Sequence, residues 1–312
     1  MPGEAGTGAE ADPEALTAPD LACAVRSLAL GEPLAGTASR YRHWLMIEQP
    51  GRWGHEALTD SDLPVEVGRR LHDAGLRLGI RVLLIKRRDR PAPPRRRCFA
   101  AYTGVRRRHL AGFEVDDPRE LLWLDLPRLV SERWAGLGER VDAPLFLACT
   151  HGKHDVCCAR EGTPLAAALL GFDRGEVWEC SHVGGDRFAG NLVAFPHGAY
   201  FGRVGALEAV RVATAFADGR LDLAHFRGRS CHSPAVQFAE HVVREKLDLD
   251  GIDDLSVSLH ERLPEGRHRV GFRAPDGREH LVELRAVPAP PRPLTCKAAE
   301  SQPPRAFVLA DA

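Results

Sequence analysis

Thiol, imidazole and carboxylate side chains are concentrated in two short segments of the sequence. Residues 149–158 read CTHGKHDVCC, and residues 179–188 read ECSHVGGDRF. Thiolates are soft ligands suited to iron–sulfur clusters and zinc, and imidazole suits both iron and zinc. The two segments therefore predict a metal or redox centre rather than ordinary core packing.

Both segments follow predicted strands, APLFLAC before the first and GEVWEC before the second. Because α/β folds present ligands at the carboxyl ends of their strands, the two loops are expected to converge. Cys149 and Cys158 then lie on the two sides of one loop. In the other loop, Gly184 and Gly185 permit positive φ and close approach to a bulky group.

Some of these polar residues also have simpler roles open to them. His151 and His154 can bond to loop backbone, and Asp155 can cap the following turn. Cys157 and Cys158 cannot both face one centre in a regular segment, which leaves one of them to pack elsewhere. Four further cysteines are scattered singly and are expected to be small buried hydrophobes: Cys23, Cys98, Cys231 and Cys296.

The elements that must position the two loops occur twice along the chain. A β-α-β unit followed by a hairpin and a helix runs from HWLMIE to DPRELLWL, and again from APLFLAC to GALEAVRVATAFADG. This is the element order of the thioredoxin fold. We predict an α/β chain with tandem thioredoxin-like domains at 21–140 and 141–228, then a small α+β module at 229–312. The segment 1–20 is acidic overall and rich in Ala, Gly and Pro, and it is predicted to be a disordered tail.

Composition and charge limit the function classes. The 312 residues are 44% apolar and 27% charged, as in soluble globular proteins. The formal net charge of -1 provides no overall field for nucleic acid, which we do not expect as a partner. Without a signal peptide or a long apolar run, we expect no membrane association, a cytoplasmic location and reduced cysteines.

CTHGKHDVCC and SHVGGDRFAGN together resemble the sucrase/ferredoxin-like family of thioredoxin-like ferredoxins. In that family, two cysteines of the first motif and two histidines in the pattern H-x-G-G-H bind a 2Fe-2S cluster. The resemblance implies Cys149, Cys158 and His182 as ligands. Asp186 stands where the second histidine is expected, so the fourth ligand is Asp186 or, alternatively, Cys180. Around these ligands we expect His151, Asp155, Cys157, Ser181, Gly184 and Gly185.

The resemblance implies one-electron transfer or redox sensing with a redox partner protein. We expect an electron carrier rather than a catalyst, and no glycoside hydrolase activity, because no suitable pair of carboxylates stands out. Two alternatives remain open. One is a thiol-disulfide oxidoreductase of thioredoxin-like fold, and the other is a structural or binding protein stabilised by zinc in place of the cluster.

Overall fold

Helices and strands are mixed along the chain, which confirms the predicted α/β class. The computed structural model describes residues 21–89, 94–131 and 137–310, so the predicted tail at 1–20 lies outside the described residues. The helices are α1 (Cys23–Ala29), α2 (Val65–Leu78), α3 (Leu126–Leu129), α4 (Val156–Ala168), α5 (Ala206–Ala217) and α6 (Pro234–Leu247). No helix in these ranges is long and apolar enough to cross a membrane.

The strands fall into two sheets. In chain order they are β1 (His43–Glu48), β2 (Ile80–Lys86), β3 (Arg96–Thr103), β4 (Arg108–Val115), β5 (Glu139–Arg140), β6 (Leu145–Cys149), β7 (Glu176–Cys180), β8 (Leu192–Phe195), β9 (Ala199–Phe201), β10 (Phe226–Arg229), β11 (Ser256–Arg262), β12 (Arg267–Arg273), β13 (Glu279–Pro288) and β14 (Arg305–Leu309). Over the described residues, ten strands form the larger sheet in the order β10-β9-β8-β6-β7-β2-β1-β3-β4-β5.

The larger sheet contains two halves with the same internal arrangement. β1 pairs in parallel with β2 and antiparallel with β3, just as β6 pairs in parallel with β7 and antiparallel with β8. Antiparallel pairing of β2 with β7, with Ile85 opposite Cys180, joins the halves into one sheet. The division at residues 140 and 141 and the thioredoxin-like identity of each half remain predictions.

Helix α4 starts earlier than its apolar pattern indicates. The run PLAAALLGF predicts a helix from Pro164, whereas the structure begins it at Val156 and continues it through that proline. Asp155 caps it, because its Oδ1 accepts a hydrogen bond of 2.9 Å from the Cys157 amide. A Cβ at Gly162 would lie 1.9 Å from the Cys149 carbonyl oxygen, so glycine lets α4 pack directly against the end of β6.

The last part of the chain builds a smaller antiparallel sheet in the order β11-β12-β13-β14. Helix α6 covers it, and the apolar core between them includes Val243, Phe272 and Leu284. Strand β10 precedes α6 and belongs to the larger sheet. The predicted α+β composition of this region is therefore present.

A buried ion cluster connects β10 to α6. Glu240 Oε1 lies 2.9 Å from Arg229 Nη2 and 3.0 Å from Arg244 Nη2, and all three side chains are buried. Burial alone would raise the pKa of Glu240, but the two guanidinium groups outweigh it and lower the pKa to about 2. The carboxylate is therefore charged at neutral pH, and its contribution to stability is lost only as the pH falls toward about 2.

We predict that Glu240→Gln lowers the free energy of unfolding by about 3–5 kcal/mol at pH 7, because it leaves two buried arginines without their carboxylate. Chemical denaturation measures the change. The matched control is Glu279→Gln, whose partner Arg273 is largely exposed, and there the loss should stay below about 1 kcal/mol. Equal effects at the two positions would contradict the prediction.

Candidate metal centre

The two predicted loops lie side by side because β6 and β7 are adjacent parallel strands. Their register places Cys149 opposite Cys180, each at the carboxyl end of its strand. The first loop continues into α4, and the second reaches a short 3₁₀ turn, Asp186–Phe188. The convergence inferred from the sequence is therefore present.

Three of the predicted ligands come together between these loops. Donor atoms of Cys149, Cys158 and His182 all lie within 4.8 Å of one another. Cys158 Sγ is 3.8 Å from His182 Nδ1. Both cysteine side chains are buried, which keeps competing water from the thiols.

Asp186 completes this group. Its Oδ1 lies 2.9 Å from His182 Nδ1 and 3.1 Å from Cys158 Sγ, and the residue is 3% exposed. Positive φ angles at Gly184 (99°) and Gly185 (82°) turn the chain so that His182 and Asp186 face the same point.

The protonation states of the group depend on one another. Hydrogen bonds from Cys158 and Cys180 are the main reason that the pKa of Cys149 lies well below its ordinary value. Burial opposes charge on His182, but its bonds to Asp186 and Cys149 raise the pKa to about 9. Burial likewise opposes charge on Asp186, and the hydrogen bond from His182 lowers that pKa on balance. The shifts therefore favour negative charge on Cys149 and Asp186 and positive charge on His182.

Cys180, the alternative fourth ligand, is fully buried and is paired with Cys149 on the neighbouring strand β7. It hydrogen-bonds with the Cys149 thiol, whereas Asp186 contacts Cys158 and His182 directly. Burial raises the pKa of Cys180 well above its ordinary value.

His151 and Ser181 hold the loop backbone in place. His151 Nδ1 accepts a hydrogen bond of 3.3 Å from the His182 amide, and its Nε2 lies 2.7 Å from the Gly54 carbonyl oxygen. Ser181 Oγ accepts a hydrogen bond of 3.0 Å from the Leu84 amide in β2. These two residues therefore tie the second loop to the N-terminal half of the sheet.

The imidazole of His182 reaches toward solvent beside His154. The two rings stack at 3.8 Å between centroids, and their side chains are 19% and 27% exposed. A surface cavity of about 310 Å³ opens there and is also lined by His55 and Arg81. Of the otherwise buried donors, the imidazole of His182 is therefore the one that lies near the surface.

Arg227 is a residue of the centre that sequence reasoning missed. It occupies an irregular position in the pairing of β10 with β9, and bulges commonly re-aim a side chain. The residue is 1% exposed, and its guanidinium donates to the carbonyl oxygens of Gly184 and Thr37 and to Asn191 Oδ1. Burial lowers its pKa to about 10, so it is a cation at neutral pH. FRGRS in the sequence shows neither the bulge nor the distant loop that Arg227 supports.

Cys157 and Asp155 do not face this group, although the sequence placed them around it. They form a separate group with Cys23 and Cys296, in which all four donor atoms lie within 4.8 Å of one another. The described residues thus contain more than one group of side chains able to hold a metal ion.

The donors at the first centre suit an iron–sulfur cluster chemically. Two soft thiols and one imidazole are ligand types found in such clusters, and a carboxylate adds a harder oxygen donor. The same set also suits zinc, which accepts sulfur, nitrogen and oxygen ligands. Ligand chemistry is therefore compatible with both.

We predict that Gly185→Ala is more destabilising than Gly171→Ala. Both glycines have positive φ, 82° and 79°, so both variants carry similar backbone strain. A Cβ at Gly185 would also lie 2.3 Å from Arg227 Nη2, whereas nothing lies within 4 Å of a Cβ at Gly171. Displacing the buried guanidinium should lower the free energy of unfolding by roughly a further 1–3 kcal/mol, which chemical denaturation measures. Indistinguishable losses would refute the tight packing of Arg227 on this loop.

One family model matches the chain, and it covers the whole centre. The sucrase/ferredoxin-like model matches residues 34–228, which include strands β1 to β9 and both ligand loops. No curated protein and no solved structure matches the chain. Because the match extends over more than half of the 312 residues, the chain belongs to the sucrase/ferredoxin-like family.

Proposed function

We propose that the chain binds a 2Fe-2S cluster through Cys149, Cys158, His182 and Asp186 and acts in one-electron transfer. The observation that carries the proposal is the convergence of two buried thiols, an imidazole and a carboxylate from two adjacent strand ends. When bound, the cluster supplies the one-electron chemistry, and the protein supplies ligands, hydrogen bonds and burial.

Asp186 is the preferred fourth ligand because it already contacts two of the other three. Its Oδ1 is within 3.1 Å of both Cys158 Sγ and His182 Nδ1, while Cys180 hydrogen-bonds with Cys149. The buried cation of Arg227, which holds the Gly184 carbonyl, offsets part of the negative charge that two thiolates and a carboxylate bring.

The cavity beside His182 is the natural docking point for a redox partner. His182 is the ligand of the centre closest to solvent, and the cavity reaches both its ring and that of its stacked neighbour His154. The thiols of Cys149 and Cys158 are buried by comparison. A partner protein that approaches over this cavity would therefore come closest to the centre through an imidazole edge.

Zinc is the second candidate, favoured by the compactness of the group. The donor atoms of Cys149, Cys158 and His182 lie within 4.8 Å of one another and fit around a single ion with bonds of about 2.0–2.3 Å. Anaerobic purification separates the two candidates. A 2Fe-2S protein is red-brown and contains equal iron and acid-labile sulfide, whereas a colourless protein with zinc alone would reject the proposal.

A thiol-disulfide oxidoreductase has less support. Cys149, Cys157, Cys158 and Cys180 are at most 1% exposed, so none of these thiols is placed to attack a protein disulfide. A turnover assay with dithiothreitol and a protein disulfide tests this alternative directly.

We predict that Asp186→Ala alters the electron paramagnetic resonance spectrum of the reduced protein and lowers its iron content, because an inner ligand is lost. Cys180→Ala should retain both spectrum and iron. Cys231→Ala, which removes another buried thiol at 4% exposure, is the control for general effects of cysteine loss. The reverse pattern, with iron lost only in Cys180→Ala, would make Cys180 the fourth ligand.

We further predict that Asp186→His raises the reduction potential, on the order of 100 mV, because a neutral imidazole replaces an anionic carboxylate. Protein-film voltammetry or a dye-mediated titration measures the shift. Asp62→His, an acidic-to-histidine change in the partly exposed loop before α2, is the matched control and should leave the potential unchanged. An unchanged potential in Asp186→His, with the cluster intact, would show that Asp186 is not a ligand.

A further inference from the structure

Cys157 and Cys158 are neighbours in the sequence but face different parts of the molecule. Successive residues on an α-helix point about 100° apart, and both thiols lie in the first turn of α4. Cys158 faces the centre described above, whereas Cys157 faces α1 and the chain near residue 296. Both side chains are 0% exposed.

The second group brings together three thiols from distant parts of the chain. Cys157 Sγ lies 3.7 Å from Cys23 Sγ and 3.5 Å from Cys296 Sγ. Cys296 Sγ lies 3.5 Å from Cys23 Sγ, so the three sulfur atoms form a triangle. Cys23 and Cys296 are therefore not isolated packing residues, as their scatter in the sequence indicated. Cys98 and Cys231 remain buried single thiols.

A carboxylate lies against this triangle. Asp155 is 0% exposed, and both of its oxygens are 3.9 Å from Cys23 Sγ. Oδ1 accepts from the Cys157 amide, and Oδ2 accepts a hydrogen bond of 2.7 Å from the Cys296 amide. The Cys23 amide in turn donates to Cys296 Sγ at 3.4 Å. Backbone amides thus fix the positions of both the carboxylate and a thiol.

We propose that Cys23, Cys157 and Cys296, with Asp155, form a second and structural zinc site. Sulfur atoms around a tetrahedral zinc with bonds of about 2.3 Å are separated by about 3.8 Å, close to the three edges of this triangle. The carboxylate supplies a fourth donor within the same 4.8 Å group. Cys296 is the exposed member and gives the ion a path into the site.

A disulfide explains the same residues less well. Three thiols at nearly equal distances offer no preferred pair, and pairing any two would leave the third beside a buried carboxylate. Simple apolar packing is also a poor account, because Asp155 is fully buried next to the thiols. A shared cation satisfies all four groups together.

Such a site would fasten both ends of the described chain to the helix that carries Cys158. Cys23 and Cys296 lie outside the family match at residues 34–228, while Cys157 lies inside it. The contacts that the ion would fix span 134 and 273 residues of sequence. Binding to the folded protein alone would add to its stability and would hold α1 and the segment around Cys296 against α4.

Elemental analysis of the full chain, purified anaerobically, tests the proposal. Wild type should contain one zinc per chain in addition to the metal held at Cys149. In Cys296→Ser, at the exposed position, the zinc content per chain should fall at least about tenfold, while the metal at the first centre is retained. Cys149→Ala should show the opposite pattern. Two zinc ions in wild type, one of them lost in Cys296→Ser, would support this site and reject the cluster proposed above.

Further variants keep the result independent of folding defects. Asp155→Asn preserves a capping oxygen for α4 but removes the charge, and it should lower zinc occupancy with little change in circular dichroism. Cys231→Ser, a buried cysteine outside the group, should retain zinc. Unchanged zinc in Cys296→Ser, or a disulfide between two of the three cysteines by mass spectrometry of alkylated protein, would overturn the proposal.

Discussion

The parallel pairing of β6 with β7 determines where every other part of the centre must lie. It places Cys149 opposite Cys180 and starts two loops at one edge of the sheet. Helix α4 then packs so closely on β6 that only glycine fits at position 162. This close contact holds the first turn of α4, with Cys158, over the end of β6. A register shift of one residue would move Cys149 to the opposite face of the sheet.

The two halves of the larger sheet share their arrangement but have different roles. Glu48 and Ile85 pair at the end of the first half, where Cys149 and Cys180 pair in the second. The first half thus has no thiols at these positions. It instead supports the second loop, because Gly54 contacts His151 and Leu84 contacts Ser181. This support gives the N-terminal half a physical role in the centre.

Buried charged side chains connect elements from different regions of the chain at two points. Arg227 links the second ligand loop to β10, and Glu240 links β10 to α6 through Arg229 and Arg244. Arg227 and Glu240 each contact several polar partners, which offsets part of the cost of burying a charge. The C-terminal region is therefore connected to the centre through β10 by polar contacts as well as by apolar packing.

Much of the local structure follows from the sequence. The apolar runs HWLMIE, APLFLAC and GEVWEC place β1, β6 and β7 within two residues of their observed ends, because strand periodicity is a local property. The start of α4 differs from the prediction, since the proline at position 164 suggests a boundary that the cap at Asp155 and packing on β6 override. The motifs also indicate Cys149, Cys158, His182 and Asp186, which the structure brings together.

Other features depend on contacts between residues far apart in the sequence. No local sequence pattern indicates that β2 and β7 join the two halves or that a bulge directs Arg227. The same is true of the contact between Cys23, Cys157 and Cys296. The sequence by itself determined the element types and the chemistry of two loops, because both reside in neighbouring residues. Tertiary structure decided which thiols share a site, because adjacent helix positions point in different directions and distant chain ends pack against them.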